Sequence, residues 1–496
     1  MPCTGRILLT GITGSVGSWI ARKTLLAGNK ILAVVRADTD DAAISRTQTA
    51  LNIVGVGDLI GGVEVVRGDI CLEGLGLGPG ISRAADISLI IHCAAVLGFG
   101  EDLAELSGQV NVEGTAHVLK LAERLRVPVC HLSTAYVAGK RKGSVYESEI
   151  DVGQEFHNAY ELSKCQGELL VNEWSRDTGL DAFIFRPGIV VGDTESGRIV
   201  NFDGLYNLMR FFDSIGSVIG SGEFRVIANP NATKNFIPVD YLADALWHVL
   251  EKGTPGTYHV THPSPIKLSH LRQILADLFE IPGARLVHHR DFDKTEPTRL
   301  ERIYQETASY YQPYLMGEPV FDRTNTDRAL RGANLKVAEI DADSFSRLLS
   351  YARSVKWGKK HSKITTAAES SSYVVDRYFD HFLAEKMHKQ LLPDLRSLSA
   401  TCSIKVEDIP GRSWALRIEQ GRLENISNNG ADCQCAFLVD CDTFSRIVSG
   451  ELTPQKAFFK RKIDIQGDME TGLKLATVLA AFFQKWPYRP GAEHGR

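Results

Sequence analysis

Three things are scarce in this sequence: net charge, clustered cysteines and long apolar runs. Its 56 basic and 60 acidic residues leave a formal charge of -4. No global basic field therefore draws in phosphate backbones or anionic membrane surfaces, and nucleic acid is excluded as a partner. The nine cysteines are scattered. The closest group, Cys433, Cys435 and Cys441, lacks both the paired C-x-x-C spacing and the nearby histidines of a zinc site, so no metal centre is expected. Cys433, Cys435, Phe437 and Val439 alternate as along a strand, which would turn both cysteines into a core as small hydrophobes. That usage fits a reducing compartment, and the chain is read as cytoplasmic. No stretch approaches the roughly 18 unbroken apolar residues of a membrane span. The opening MPCTGRILLTG reads as a first strand, not a secretion signal.

With 44% hydrophobic and 23% charged residues over 496 positions, the chain can bury ordinary cores in two or three domains. Short aliphatic runs at 7–10, 31–35, 63–66, 87–93, 127–132 and 183–185 alternate with helix-length segments. Fully apolar strands in that rhythm indicate an α/β fold of the Rossmann type, a doubly wound parallel sheet covered on both faces. This domain is assigned to residues 1–357, with an aromatic-rich substrate lobe mainly in 200–357. A Lys/Ser/Thr/Ala-rich stretch (GKKHSKITTAAESSS) marks a linker over 358–375. A small α+β unit follows over 376–490: a helical pattern from Val374 to Leu392, alternating strands such as Trp414-x-Leu416-x-Ile418, and an amphipathic helix from about Met469 to Phe483.

Gly11, Gly14 and Gly17, with Thr13, Ser15 and Val16 between them, follow the first strand and open a helix. Glycines in that setting let the backbone approach a pyrophosphate at the helix N-terminus. After the second strand, where an acidic residue would select NAD, stands Arg36. A guanidinium there suits the 2′-phosphate of NADPH, with Arg46 as a second candidate. Asp69, followed by Ile70 after the third strand, is placed either to accept from the adenine amino group or to cap a helix.

Tyr160 and Lys164 stand four apart in a helical pattern and share a face. An ammonium beside the phenol would lower a pKa that is otherwise about 10 and make the tyrosine a proton donor near neutral pH. Thr134 ends a strand at the carboxyl edge of the sheet, where its hydroxyl can polarise a carbonyl. Asn111 is read either as a relay to Lys164 through water or as a helix cap.

In order and spacing, Gly11/Gly14/Gly17, His92-Cys93-Ala94-Ala95, Asn111, Ser133-Thr134-Ala135, Tyr160/Lys164 and Arg186-Pro187-Gly188 resemble the extended short-chain dehydrogenase/reductase family. The resemblance implies hydride transfer from nicotinamide to a carbonyl, with Tyr160 as acid, Lys164 on the nicotinamide ribose and Thr134 on the carbonyl. It also assigns Ile70, Cys93, Ala94, Ala95, Pro187, Gly188, Ile189 and Val190 to the cofactor site. Val35-Arg36-Ala37, His131 to Val137, Arg186 to Asp193 and Tyr310 to Leu315 with Phe321-Asp322 are similar to the fatty acyl-CoA reductase and thioester reductase branch, over about residues 5–357. That branch implies an apolar acyl thioester, on coenzyme A or a carrier protein, reduced to aldehyde or alcohol. Gly450 to Phe459, Lys462 to Asp468 and the helix after them resemble the sterol carrier protein type-two family, over about 376–486. This implies a lipid tunnel walled by Leu473, Leu475, Val478, Leu479, Phe482 and Phe483.

Two other readings stay open. A ketone or hydroxysteroid dehydrogenase would use the same catalytic residues, and a non-catalytic lipid carrier would bind ligand without consuming cofactor. A dehydratase is disfavoured because Ala135 and Tyr136 stand where elimination needs an Asp-Glu pair. A homodimer is compatible with the sequence, which does not fix the oligomeric state.

Overall fold

The computed structural model describes residues 5–78, 86–100, 103–358, 375–389, 399–409, 413–428, 433–459 and 462–488. The expected linker thus lies almost entirely outside the described residues, as does the end of the Val374–Leu392 pattern. Seven parallel strands form one sheet: β1 (Arg6–Thr10), β2 (Lys30–Val35), β3 (Val63–Arg67), β4 (Ile87–His92), β5 (Val129–Leu132), β6 (Ala182–Pro187) and β7 (Gly256–Val260). Their order is β7-β6-β5-β4-β1-β2-β3. The central strands are aliphatic on both faces because both faces are covered. On one side lie α1 (Ser15–Leu26) and the helix Val239–Lys252, through Trp19, Ile20, Leu242 and Leu246. On the other lie α2 (Gly114–Leu125) and α3 (Ala159–Thr178), through Val118, Leu119, Val171 and Trp174. Strand order reverses between β1 and β4, which opens a crevice at their carboxyl ends. Edge strand β7, sequence GTYHV, was not anticipated, because glycine, threonine and histidine dilute its apolar signal.

The substrate lobe is built around α4 (Leu205–Ile219), α5 (Arg299–Ala308) and short strands. Phe212, Phe224 and Tyr304 pack ring against ring at its centre, with centroids 5.8–6.0 Å apart. Helix α5 starts with a reciprocal cap: Glu301 N–H donates to the Thr298 hydroxyl and Thr298 N–H to the Glu301 carboxylate.

The C-terminal unit has a five-stranded sheet of β8 (Ala400–Val406), β9 (Ser413–Glu419), β10 (Arg422–Ser427), β11 (Cys435–Val439) and β12 (Ile463–Gly467), in the order β10-β9-β8-β11-β12. Phe379 stacks on Trp414 at 4.4 Å. The closing helix α6 (Met469–Lys485) buries all six residues of the expected apolar stripe. It packs against α4 of the substrate lobe, and Arg210 on α4 hydrogen-bonds the Phe458 carbonyl while lying over its ring. Both units therefore contribute to one apolar cluster. One expectation fails here. Cys435 is buried, but Cys433 is half-exposed, because pairing begins only at Cys435. No described helix is long and apolar enough to cross a membrane.

Candidate functional site

The glycine turn is close-fitting by construction. Gly11 adopts φ +79°, and a Cβ on it would lie 2.6 Å from the Ala94 nitrogen. A Cβ on Gly17 would lie 2.1 Å from the Gly11 carbonyl oxygen. These two glycines let α1 and the segment after β4 close on the turn, while Gly14 has more room. Helix α1 starts at Gly14 without a side-chain cap, so its positive end faces the cavity, which Gly14, Ser15 and Val16 line. The close packing holds the turn in shape, and the open end of α1 beside it is where a pyrophosphate would sit. Asn201 N–H donates to the Ser15 hydroxyl at 3.0 Å and ties the turn to the substrate lobe.

Arg36, just after β2, and Arg46, on the helix Asp40–Ile53, are both exposed. The Arg46 guanidinium hydrogen-bonds the Arg36 carbonyl and reaches the Thr13 hydroxyl at 3.4 Å. The Arg46 cation thus stands at the rim of the turn, held there by the Arg36 main chain. Asp69 accepts from Cys71 N–H at 3.0 Å, so it caps a turn whether or not it also meets an adenine. Ile70 turns its side chain into the core beneath Gly114.

One cavity of roughly 500 Å³ runs from this turn into the substrate lobe. Gly11, Gly14, Ser15, Val16, Gly17, Cys93, Ala95, Thr134, Tyr160, Pro187, Gly188, Ile189 and Val190 line its near end. Its far end is lined by Leu208, Met209, Phe212, Val226, Leu271, Leu275, Ile281 and Tyr304, from helices and strands of the lobe. Phe99 and Tyr160 meet edge to face at 5.9 Å, and Phe99 also contacts Tyr311 and Tyr314. Of the aromatic segment that starts at residue 304, Tyr304, Tyr311 and Tyr314 line the cavity, whereas Tyr310 is about one-third exposed, at 37%, with its ring against Phe99 and Tyr311.

Tyr160 and Lys164 do share one face of α3, whose first turn is capped by Asn158 on Glu161 N–H. Their expected coupling is not what the structure shows. Burial pushes the Tyr160 phenol up to about 12, opposed by a hydrogen bond with Thr134. The Lys164 ammonium instead donates to the Leu132 carbonyl at 2.7 Å and lies 3.5 Å from His131 Nε2. Burial lowers Lys164 to about 8, partly offset by Glu168. The strand-end carbonyl takes up the charge that was expected to act on the phenol. Asn111 has direct structural partners of its own. It sits in a π-helical turn, Gly108–Glu113. Its side chain accepts from Val96 N–H at 2.8 Å and donates to Val96 O and Ser163 Oγ, each at 3.0 Å. It braces the segment after β4 against α3. Arg186 is wholly buried in a bidentate pair with Glu168, which clamps β6 to α3.

Local sequence patterns missed a second polar group on the cavity wall. Tyr136 donates to Glu318 at 2.9 Å and Lys234 donates to the same carboxylate oxygen at 3.0 Å. Their positions are up to 182 residues apart in the chain, so no spacing could have linked them.

Residues 9–246 match the family described as Male sterility protein, an NAD-binding family, and residues 379–480 match the SCP-2 sterol transfer family. The chain joins a male-sterility-type NAD-binding domain to an SCP-2 domain. Among curated relatives, a linear gramicidin synthase of Brevibacillus parabrevis is 24% identical over 69% of this chain and 7% of its own length. The carboxylic acid reductase of Mycobacterium marinum is 29% identical over 52% of this chain and 24% of its own length. The chain thus spans only a minor part of the curated relatives it matches. Among solved structures, the terminal R domain of the myxalamid PKS-NRPS pathway aligns with a TM-score of 0.60 at 25% identity, over 72% of this chain and 92% of that one.

Proposed function

We propose that this male-sterility-type domain is an NADPH-dependent reductase of an apolar acyl thioester, carried on coenzyme A or on a carrier protein and reduced to aldehyde or alcohol. The observation that carries this reading is the single cavity that joins the dinucleotide turn, Thr134, Tyr160 and a long apolar wall. Relatives that include carboxylic acid reductases and a synthetase R domain support the thioester. Exposed Arg36 just after β2 and Arg46 at the rim of the turn support NADPH over NADH.

The nicotinamide, when bound, supplies the hydride. The protein's own residues do the rest. The uncapped start of α1 holds the pyrophosphate, Arg36 and Arg46 take the 2′-phosphate, and Lys164 takes the ribose. The Thr134 hydroxyl, hydrogen-bonded to Tyr160, holds the substrate carbonyl oxygen beside the phenol. Burial favours the protonated Tyr160 phenol, which gives up its proton to an oxygen on which negative charge has developed. The lobe walls exclude water and bind the acyl chain by apolar contact. The SCP-2 domain binds the same class of lipid and holds it at raised local concentration beside the reductase domain.

Loss of NADPH absorbance should follow addition of long-chain acyl thioesters and not of ketosteroids. Tyr160→Phe should cut turnover at least roughly 100-fold with NADPH affinity retained. Turnover of ketosteroids alone, or undiminished turnover in that variant, would overturn the proposal.

A further inference from the structure

Lys234 and Glu318 form a buried ion pair, with side chains only 4% and 2% exposed. Lys234, on the short strand Thr233–Lys234, lines the active-site cavity. Its ammonium donates to Glu318 at 3.0 Å and lies 5.9 Å from the centroid of the Tyr314 ring. Tyr136 donates to the same Glu318 oxygen, and Tyr136 N–H donates to the Thr134 hydroxyl oxygen at 3.3 Å. A continuous chain of contacts therefore runs Thr134, Tyr136, Glu318, Lys234 around one wall of the cavity. A buried pair of this kind contributes little net stability, because desolvation offsets the Coulomb attraction. A charged pair facing a cavity beside a proton donor is where catalytic groups are found.

Thioester reduction has a need that ketone reduction lacks. Once hydride and the Tyr160 proton have been added, the hemithioacetal must break its carbon–sulfur bond. The hydroxyl proton returns to the Tyr160 phenolate, the carbonyl reforms, and the bonding electron pair leaves on sulfur as a thiolate. In an apolar cavity an unpaired anion is costly. We propose that Lys234, oriented by Glu318, is the second acid of this site: its ammonium meets the departing thiolate and protonates it. The free thiol and aldehyde are released, and the neutral amine regains its proton from solvent. This step consumes no oxidant or reductant, and it rests on the thioester reading above.

The test varies the leaving group. In the wild-type protein, alkyl thioesters and the more acidic aryl thioesters of the same acyl chain should turn over at similar rates. Lys234→Met should lose roughly 100-fold on the alkyl thioester and stay within about threefold of wild type on the aryl thioester, whose thiolate leaves without help. NADPH affinity and thermal midpoint serve as controls for folding. If Lys234→Met does not fold, the charge-balanced pair Lys234→Met with Glu318→Gln takes its place, with the same expectation. Equal losses on both thioesters, or no loss on either, would overturn the assignment. A wild-type protein that turns over neither thioester would instead refute the thioester reading itself.

Discussion

Replacing Asn111 by alanine separates a brace from a proton relay. The side chain is 1% exposed and satisfies three groups: Val96 N–H, Val96 O and the Ser163 hydroxyl. The Ser163 hydroxyl still donates to the Tyr160 carbonyl at 2.9 Å, so part of the network survives, and half-buried Val96 gains some access to water. An orphaned buried polar group costs about 1–3 kcal/mol, which puts the whole substitution at about 2–4 kcal/mol. For a domain of this size that is a fall of roughly 3–5 °C in Tm. Function should suffer as well, because the braced segment carries Phe99, whose ring meets Tyr160 at 5.9 Å. A tenfold loss in kcat with an unchanged pH profile is the expected result. Asn111→Asp keeps the acceptor for Val96 N–H and loses both donors, so it should fall between wild type and alanine in stability. Thermal unfolding and pH–rate profiles of the three proteins decide the matter. An unaltered Tm combined with a shifted alkaline limb would refute the brace and restore the relay.

Three further outcomes follow from the same geometry. Gly17→Ala must push α1 off the Gly11 carbonyl, because its methyl would start 2.1 Å away; overpacking of about 1–3 kcal/mol and at least tenfold weaker NADPH binding in a fluorescence titration are expected, against a smaller change for Gly14→Ala. Removing both Arg36 and Arg46 should weaken NADPH binding roughly 10- to 100-fold, with NADH binding unchanged, as fits loss of charge-assisted contacts to one phosphate. Burial puts Lys164 near 8 and Tyr160 near 12, so as pH rises through about 8 the lysine loses its charge while the phenol keeps its proton; kcat/KM should fall on the alkaline side of that value, and Lys164→Met should abolish the limb.

The parallel sheet and the cradle were legible in the sequence because each depends on local chemistry. Aliphatic runs such as KILAVV have no other comfortable setting, and Gly11 and Gly17 bracket a turn that admits no side chain. Thr134, Tyr160 and Lys164 were legible as types at a spacing; Thr134 and Tyr160 line one cavity, and Lys164 lies buried behind them on the Leu132 carbonyl. Their electrostatics were not legible. Whether an ammonium acts on a phenol or on a main-chain carbonyl depends on where Leu132 ends its strand, and no spacing reports that. The direct partners of Asn111, Val96 and Ser163, were not legible either, since they depend on the π turn that carries it. Lys234 and Glu318 lie 84 residues apart and meet only through folding of the lobe. Strand β7 escaped notice because an edge position tolerates polar residues that a central strand would exclude.

The most direct test of the account follows one atom. NADPH carrying deuterium on the transferring face of the nicotinamide, incubated with a long-chain acyl thioester and the purified protein, should place that deuterium on the former carbonyl carbon of the aldehyde, as read by mass spectrometry. An aldehyde formed without the label, or NADPH oxidised with no acyl product at all, would contradict it.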